Sequence, residues 1–132
     1  MLGLAAAGHP VNWFGGWSLI GLAFATGAAI GLFFHRENFW GGYASFRRRI
    51  IRLGHIALAA LGMMNVIYGI APWPAAGSRF GDAASIALLV GGAAMPAVCF
   101  LAGWRPSFRK LFFIPVTSLI AAVVCILLGG QS

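Results

Sequence analysis

The stretch from Arg47 to Ala71, RRRIIRLGHIALAALGMMNVIYGIA, decides the fold class. Three arginines, with a fourth at Arg52, head an apolar run from about Ile50 to Ala71. A bilayer core of ~30 Å needs ~20 helical residues, and this run supplies them. It lacks the strict alternation of a membrane β-strand. Basic residues at one end and an apolar body are the pattern of a helix anchored at the cytoplasmic face.

Three more stretches read the same way: about Phe14 to Phe34, Ala83 to Trp104 and Leu111 to Gly130. We therefore expect an all-α integral membrane protein, one domain over residues 1–132, built as a four-transmembrane-helix bundle. Composition agrees: 61% of residues are hydrophobic and only 8% charged, with a mean hydropathy of +0.90. Soluble domains carry about a quarter charged residues. A water-facing domain and a disordered chain are both excluded.

Turn chemistry separates the spans. Gly41-Gly42 breaks the first connection, and Ser45 can cap a basic helical lead-in to span two. Pro72-Trp73-Pro74 with Gly77 stops span two, and Asp82 sits where an N-cap for span three is expected. Arg105-Pro106 ends span three, and Ser107 can cap span four. Pro96, in Gly91-Gly92-Ala93-Ala94-Met95-Pro96, is expected to kink span three. Pro115 falls early enough in span four to do little harm.

Of the nine bases, eight lie on one side: Arg36, Arg47, Arg48, Arg49, Arg52, Arg105, Arg109 and Lys110. Only Arg79 lies on the other. The positive-inside rule puts both basic connections in the cytoplasm and both termini outside, as in a multi-pass protein of a bacterial cytoplasmic membrane. The formal charge of +7 is thus a topology signal, and nucleic acid is not an expected partner. Arg47, Arg48, Arg49, Arg109 and Lys110 are candidates for anionic lipid headgroups, and bound phospholipid is expected. Trp13, Trp17, Tyr68 and Trp73 should mark the outer interface; Trp40, Tyr43, Trp104 and Phe108 the inner one. Leu2 to Ala7 is too short for the apolar core of a signal peptide, so span one should remain uncleaved.

Glu37 and Asp82 are the only carboxylates and fall on opposite faces. That excludes a paired-carboxylate mechanism and leaves a calcium or magnesium cage without ligands. Phosphate-binding loops, dinucleotide fingerprints, haem c attachment sites and His-Glu-x-x-His are absent. No catalytic constellation is visible, and no enzyme is expected. Cys99 and Cys125 fall in opposite leaflets and are read as packing residues rather than a disulfide. Ser45-Phe46-Arg47-Arg48 recurs as Ser107-Phe108-Arg109-Lys110, either by duplication of a hairpin or because each helix start needs a cap and cytoplasmic bases.

Polar residues within spans are the best pointers to function. Span two holds most of them: Arg52, His55, Asn65 and Tyr68. Arg48, Arg52, His55, Ala59 and Gly62 follow steps of four, three, four and three and share one face, continued by Asn65 and Gly69. On span one, Gly27, Gly31 and His35 are spaced by four, so a helix or a flat macrocycle could come close. A candidate cofactor or lipid face follows from His55, His35, Arg52, Gly31 and Gly62. His35 and His55 could ligate a b-type haem; His55 could equally be a hydrogen-bonded interfacial residue, a quinone-site residue or a proton relay. Gly27, Ala59, Asn65, Tyr68 and Pro96 are candidates for helix packing or partner contact, Asn65 by a hydrogen bond across helices. His9 is expected at the surface.

With no extramembrane mass for a soluble substrate, the expected role is a small accessory subunit of a larger inner-membrane complex. Its partners would be other membrane subunits and lipids, and electron transfer is the class that gives the histidines a use. The alternative is a homo-oligomeric small transporter or channel. It draws on the polar stripe of span two and lacks an intramembrane carboxylate.

Overall fold

The computed structural model describes residues 8–71 and 73–131. The expectations on Leu2 to Ala7 and on Pro72 lie outside these residues. Within them the chain is helical, without strands. Helix α1 spans Pro10–Phe33, α2 Phe46–Ile70, α3 Arg79–Trp104 and α4 Phe113–Gly129. Short 3-10 helices, Phe39–Gly41 and Pro106–Phe112, precede α2 and α4. Four helical segments are long and apolar enough to cross a membrane. The fourth reaches that length only as Pro106–Gly129, because α4 alone has 17 residues, about 25 Å at 1.5 Å per residue.

Three helices begin before the apolar boundary, each for a local reason. Pro10 opens α1, where its missing N–H costs nothing. Ser45 caps α2, its Oγ accepting the Arg48 N–H at 3.2 Å. Ser78, not Asp82, is the N-cap of α3, with its Oγ accepting the Gly81 N–H at 3.0 Å. Asp82 lies one turn inside, its Oδ1 accepting the Gly77 N–H at 3.0 Å. That placement still sets a carboxylate against the positive end of the helix. Ser107 caps nothing, because Pro106–Phe112 runs straight on into α4. The two Ser-Phe-Arg-basic segments therefore fold differently, one as a capped α-helix start and one as a 3-10 turn. The first connection turns sharply at Trp40, Gly41 and Gly42, whose φ angles are 52°, 84° and 89°. Two of these are glycines, for which the left-handed region costs little.

Consecutive helices pack on one another, α1 also meets α3, and the core follows α2, which contributes to each of its parts. It has three parts: Tyr68, Ala84, Leu88 and Ala122; Leu19, Ala23 and Leu58; and Ile50, Cys99 and Ala102. Half of these residues are small, as expected where close backbone approach contributes to association. A Cβ on Gly91 would collide with Leu119, and one on Gly103 with Ile51. Pro96 is buried inside a helix that continues past it. Cys99 and Cys125 are free and belong to separate parts of the core. The outer faces of α1 and α4 expose Phe14, Phe24, Leu32, Ile120 and Leu127.

Candidate functional site

The α1–α2 seam carries most of the sequence-selected residues, and its character changes along its length. Near the Asn12 end the backbones touch. A Cβ on Gly16 would stand 2.6 Å from the Gly62 carbonyl oxygen and from the Val66 nitrogen. A Cβ on Gly69 would meet the Trp13 nitrogen at 2.6 Å. Midway, Leu19 and Ala23 meet Leu58, with Ala59 packed alongside. At Gly27 the neighbour becomes an imidazole, since a Cβ there would lie 2.9 Å from His55 Cε1. One turn further on, Gly31 has nothing within 4 Å, and His35 stands exposed beyond the helix. His55 is thus a wedge in the seam at Gly27, and Gly31 faces no neighbour. His55, Gly27 and Ala59 come together; Gly31 and His35 do not join them.

His55 Nδ1 lies 3.1 Å from Thr26 Oγ1. That hydroxyl has one hydrogen, which it donates back along α1 to the Leu22 carbonyl at 2.9 Å. With the hydroxyl hydrogen so placed, a neutral ring would donate from Nδ1 to Thr26 and keep Nε2 as a lone pair; with the hydrogen turned to Nδ1 the roles reverse. His55 lines a groove of about 560 Å³ with Ile20, Ala23, Phe24, Gly27, Ala28, Ala59 and Met63. Every other lining residue is apolar, and Nε2 makes no hydrogen bond to a described residue.

Thr26 lines a second cavity, so the Thr26–His55 pair stands between the two. This cleft, of about 450 Å³, is walled by Ala29, Ile30, Phe33, Phe34, Phe39, Trp40, Ile51 and Phe100. Arginines border it. Arg48 is 3% exposed, not the surface residue that lipid contact requires. Its Nη1 donates to the Arg36 carbonyl at 3.1 Å, and its Nη2 donates to that of Phe34. Its guanidinium thereby caps the negative C-terminal end of α1. Its Nε is buried without a partner, and its Cζ sits 4.7 Å from the Phe34 ring centroid. Arg52 turns away from the groove, donating to the Tyr43 carbonyl at 3.0 Å and lying over the Tyr43 ring. Arg47 lies over Trp40, 5.6 Å from the ring centroid. Arg47, Arg49, Arg109 and Lys110 are exposed.

The opposite end holds a polar node that the sequence reading found only in part. Asn65 and Asn12 are both 0% exposed and join two helices to α3. Asn12 Nδ2 donates to Asn65 Oδ1 at 2.8 Å and to the Ser85 carbonyl at 3.2 Å. Ser85 Oγ donates to Asn12 Oδ1. Asn65 Nδ2 donates to the Leu61 and Leu88 carbonyls at 2.9 and 3.2 Å, an approach that leaves no room for a side chain at Gly92. Both amides are saturated, so this node locks three helices rather than offering a binding site. Asn12 was missed because it precedes the apolar run, although Pro10, two residues earlier, is a helix-start signal that could have placed it inside α1.

Tyr68 is buried rather than interfacial, with its hydroxyl donating to the Gly81 carbonyl at 2.9 Å. His9, expected at the surface, is drawn inward. Its N–H donates to the Gly69 carbonyl at 3.0 Å, and its ring stacks on Tyr68 at 5.3 Å. Among the described residues no cluster of His, Cys, Asp or Glu is large enough to hold a metal ion.

Four helical segments long and apolar enough to cross a membrane suggest a multi-pass membrane protein. No protein-family model, curated protein or solved structure matches the chain.

Proposed function

We propose that the chain is a small polytopic subunit of a larger complex in a bacterial cytoplasmic membrane, with electron transfer as the activity of the assembly. The end bearing eight of the nine bases faces the cytoplasm, and residues 8 and 131 lie on the outer side. The observation that carries this reading is the His55 groove. It has a floor built by α1 and α2, apolar walls and one Lewis-basic nitrogen, and it opens on the outside of the bundle. That is half of a site for an apolar, flat or amphiphilic cofactor, and a neighbouring subunit would close it. The exposed apolar faces of α1 and α4 offer the contact area for such a neighbour. His55 Nε2 would serve as a haem ligand or as the acceptor for a quinol hydroxyl. Asn65, which a transporter would use on its substrate, spends its amide on Asn12, Leu61 and Leu88.

The test is mild solubilisation of the tagged chain from its native membrane, followed by native mass spectrometry and a reduced-minus-oxidised spectrum. Co-migration with larger subunits is the expected result. A b-type α-band lost in His55→Ala and kept in His35→Ala would identify the cofactor as haem. A lone, monodisperse and colourless particle overturns the proposal.

A further inference from the structure

We infer that the aromatic cleft at the basic end is a seat for one anionic phospholipid, with an acyl chain in the cleft and the phosphate at Arg47. Two independent features meet there. The cleft is lined almost wholly by apolar side chains, with Phe33, Phe34, Phe39, Trp40 and Phe100 among them. Its volume, about 450 Å³, falls within the ~300–1,000 Å³ of ligand-holding cavities. The second feature is uncompensated charge on its rim. Arg48 and Arg47 lie over Phe34 and Trp40, two of the lining rings. Eight bases share this end of the chain with Glu37 alone. Glu37 meets Arg48 through its backbone carbonyl, 3.5 Å from Nη1.

The two arginines divide the work. Arg48 is spent on α1's terminal carbonyls and fixes the wall of the cleft. Arg47 is exposed and lies over the indole face, which engages none of its N–H groups, so its donors are free for a phosphate. An apolar recess with a cation at its lip fits an amphiphile with an anionic head, and in a membrane the abundant one is phospholipid. The inference rests on the membrane-spanning reading and is independent of the proposed complex and its cofactor.

The full-length chain, exchanged into detergent with equimolar dioleoyl phosphatidylglycerol and dioleoyl phosphatidylcholine, is examined by native mass spectrometry. One phosphatidylglycerol per chain is the expected retained lipid. Arg47→Gln, at an exposed position, should lower the preference about fivefold. Ala29→Phe, which fills the cleft from an exposed helix position, should abolish retention while helicity and elution volume stay unchanged. Glycerol phosphate, a headgroup without chains, should not compete. Equal retention of the two lipids overturns the inference. A preference that survives Ala29→Phe, or that glycerol phosphate removes, overturns it in favour of plain surface electrostatics. A photo-crosslinker at position 29 that captures a protein instead of lipid overturns it in favour of a helix interface.

Discussion

The two ends of the α1–α2 seam are built from the same residue pattern and do opposite things. At Gly16 and Gly62 the glycines let backbone meet backbone, and the seam closes. At Gly27 the glycine makes room for the His55 ring, and the seam opens into cavities on both sides of the Thr26–His55 pair. A small-residue spacing says that something approaches closely; the residue opposite decides whether that is a helix or a wedge. In this molecule the Asn12 end is locked, by glycine contacts and the saturated Asn12–Asn65–Ser85 node. The basic end is held by a few long side chains around cavities.

The sharpest way to break this comparison is to add the same side chain at both ends of α1. Gly16→Val drives methyl groups into the Gly62 carbonyl and the Val66 amide. Overpacking commonly costs ~1–3 kcal/mol, and backbone atoms cannot swing aside, so a loss of about 3 kcal/mol is expected. Gly31→Val enters open space and should change stability by less than about 0.5 kcal/mol. Reversible unfolding in mixed micelles measures both. Equal effects would mean that the two glycines do not differ in how closely a neighbour approaches.

The polar node comes next. Asn12→Leu or Asn65→Leu strips the other amide of a buried partner, an effect of about 1–3 kcal/mol. The two changes share one lost bond, so a double-mutant cycle should show a coupling of about 1 kcal/mol. Strict additivity would show that Asn12 and Asn65 do not hold each other.

At the basic end the contrast lies between neighbours in sequence. Arg48→Gln uncaps α1 and removes the cation from its negative end, which should cost about 1–2 kcal/mol. Arg49→Gln, at an exposed position, should leave the unfolding midpoint in place. Equal losses would assign the arginines to general surface charge and remove Arg48 from the fold.

These contrasts also mark how far the sequence could be read. Four spans were legible because apolar length and breaks such as Gly41-Gly42 report directly on bilayer crossing. Of the helix starts, Ser45 was legible as a cap, whereas those at Pro10 and Ser78 were not, because both act outside the apolar run that hydropathy detects. Around the site, step spacing put His55, Ala59 and Gly62 on one face. It could not tell that Gly27 and Gly31, one turn apart, face an imidazole and empty space. The repeated Ser-Phe-Arg-basic motif looked equivalent because spacing carries no φ and ψ. Arg48 looked like its neighbours because a guanidinium's direction is set by the carbonyls it meets, and those belong to the end of α1 and the residues just past it.

The smallest expected effect bears most directly on what the wedge is for. Thr26→Val keeps the side chain's shape and removes the oxygen that His55 Nδ1 meets at 3.1 Å. A hydrogen bond between membrane helices averages ~0.6 kcal/mol, so stability should barely move. The ring's tautomer should move instead. Where Thr26 gives its hydrogen to the Leu22 carbonyl rather than to the ring, nitrogen NMR should find Nδ1 protonated and Nε2 pyridine-like. In Thr26→Val that bias disappears, and the two nitrogens should exchange roles. If the parent ring instead carries its proton on Nε2, the groove faces a donor rather than a lone pair. A metal-ligating His55 would then have to give up that proton first, and the open end of the seam would suit a hydrogen-bond acceptor such as a quinone carbonyl better than a haem iron.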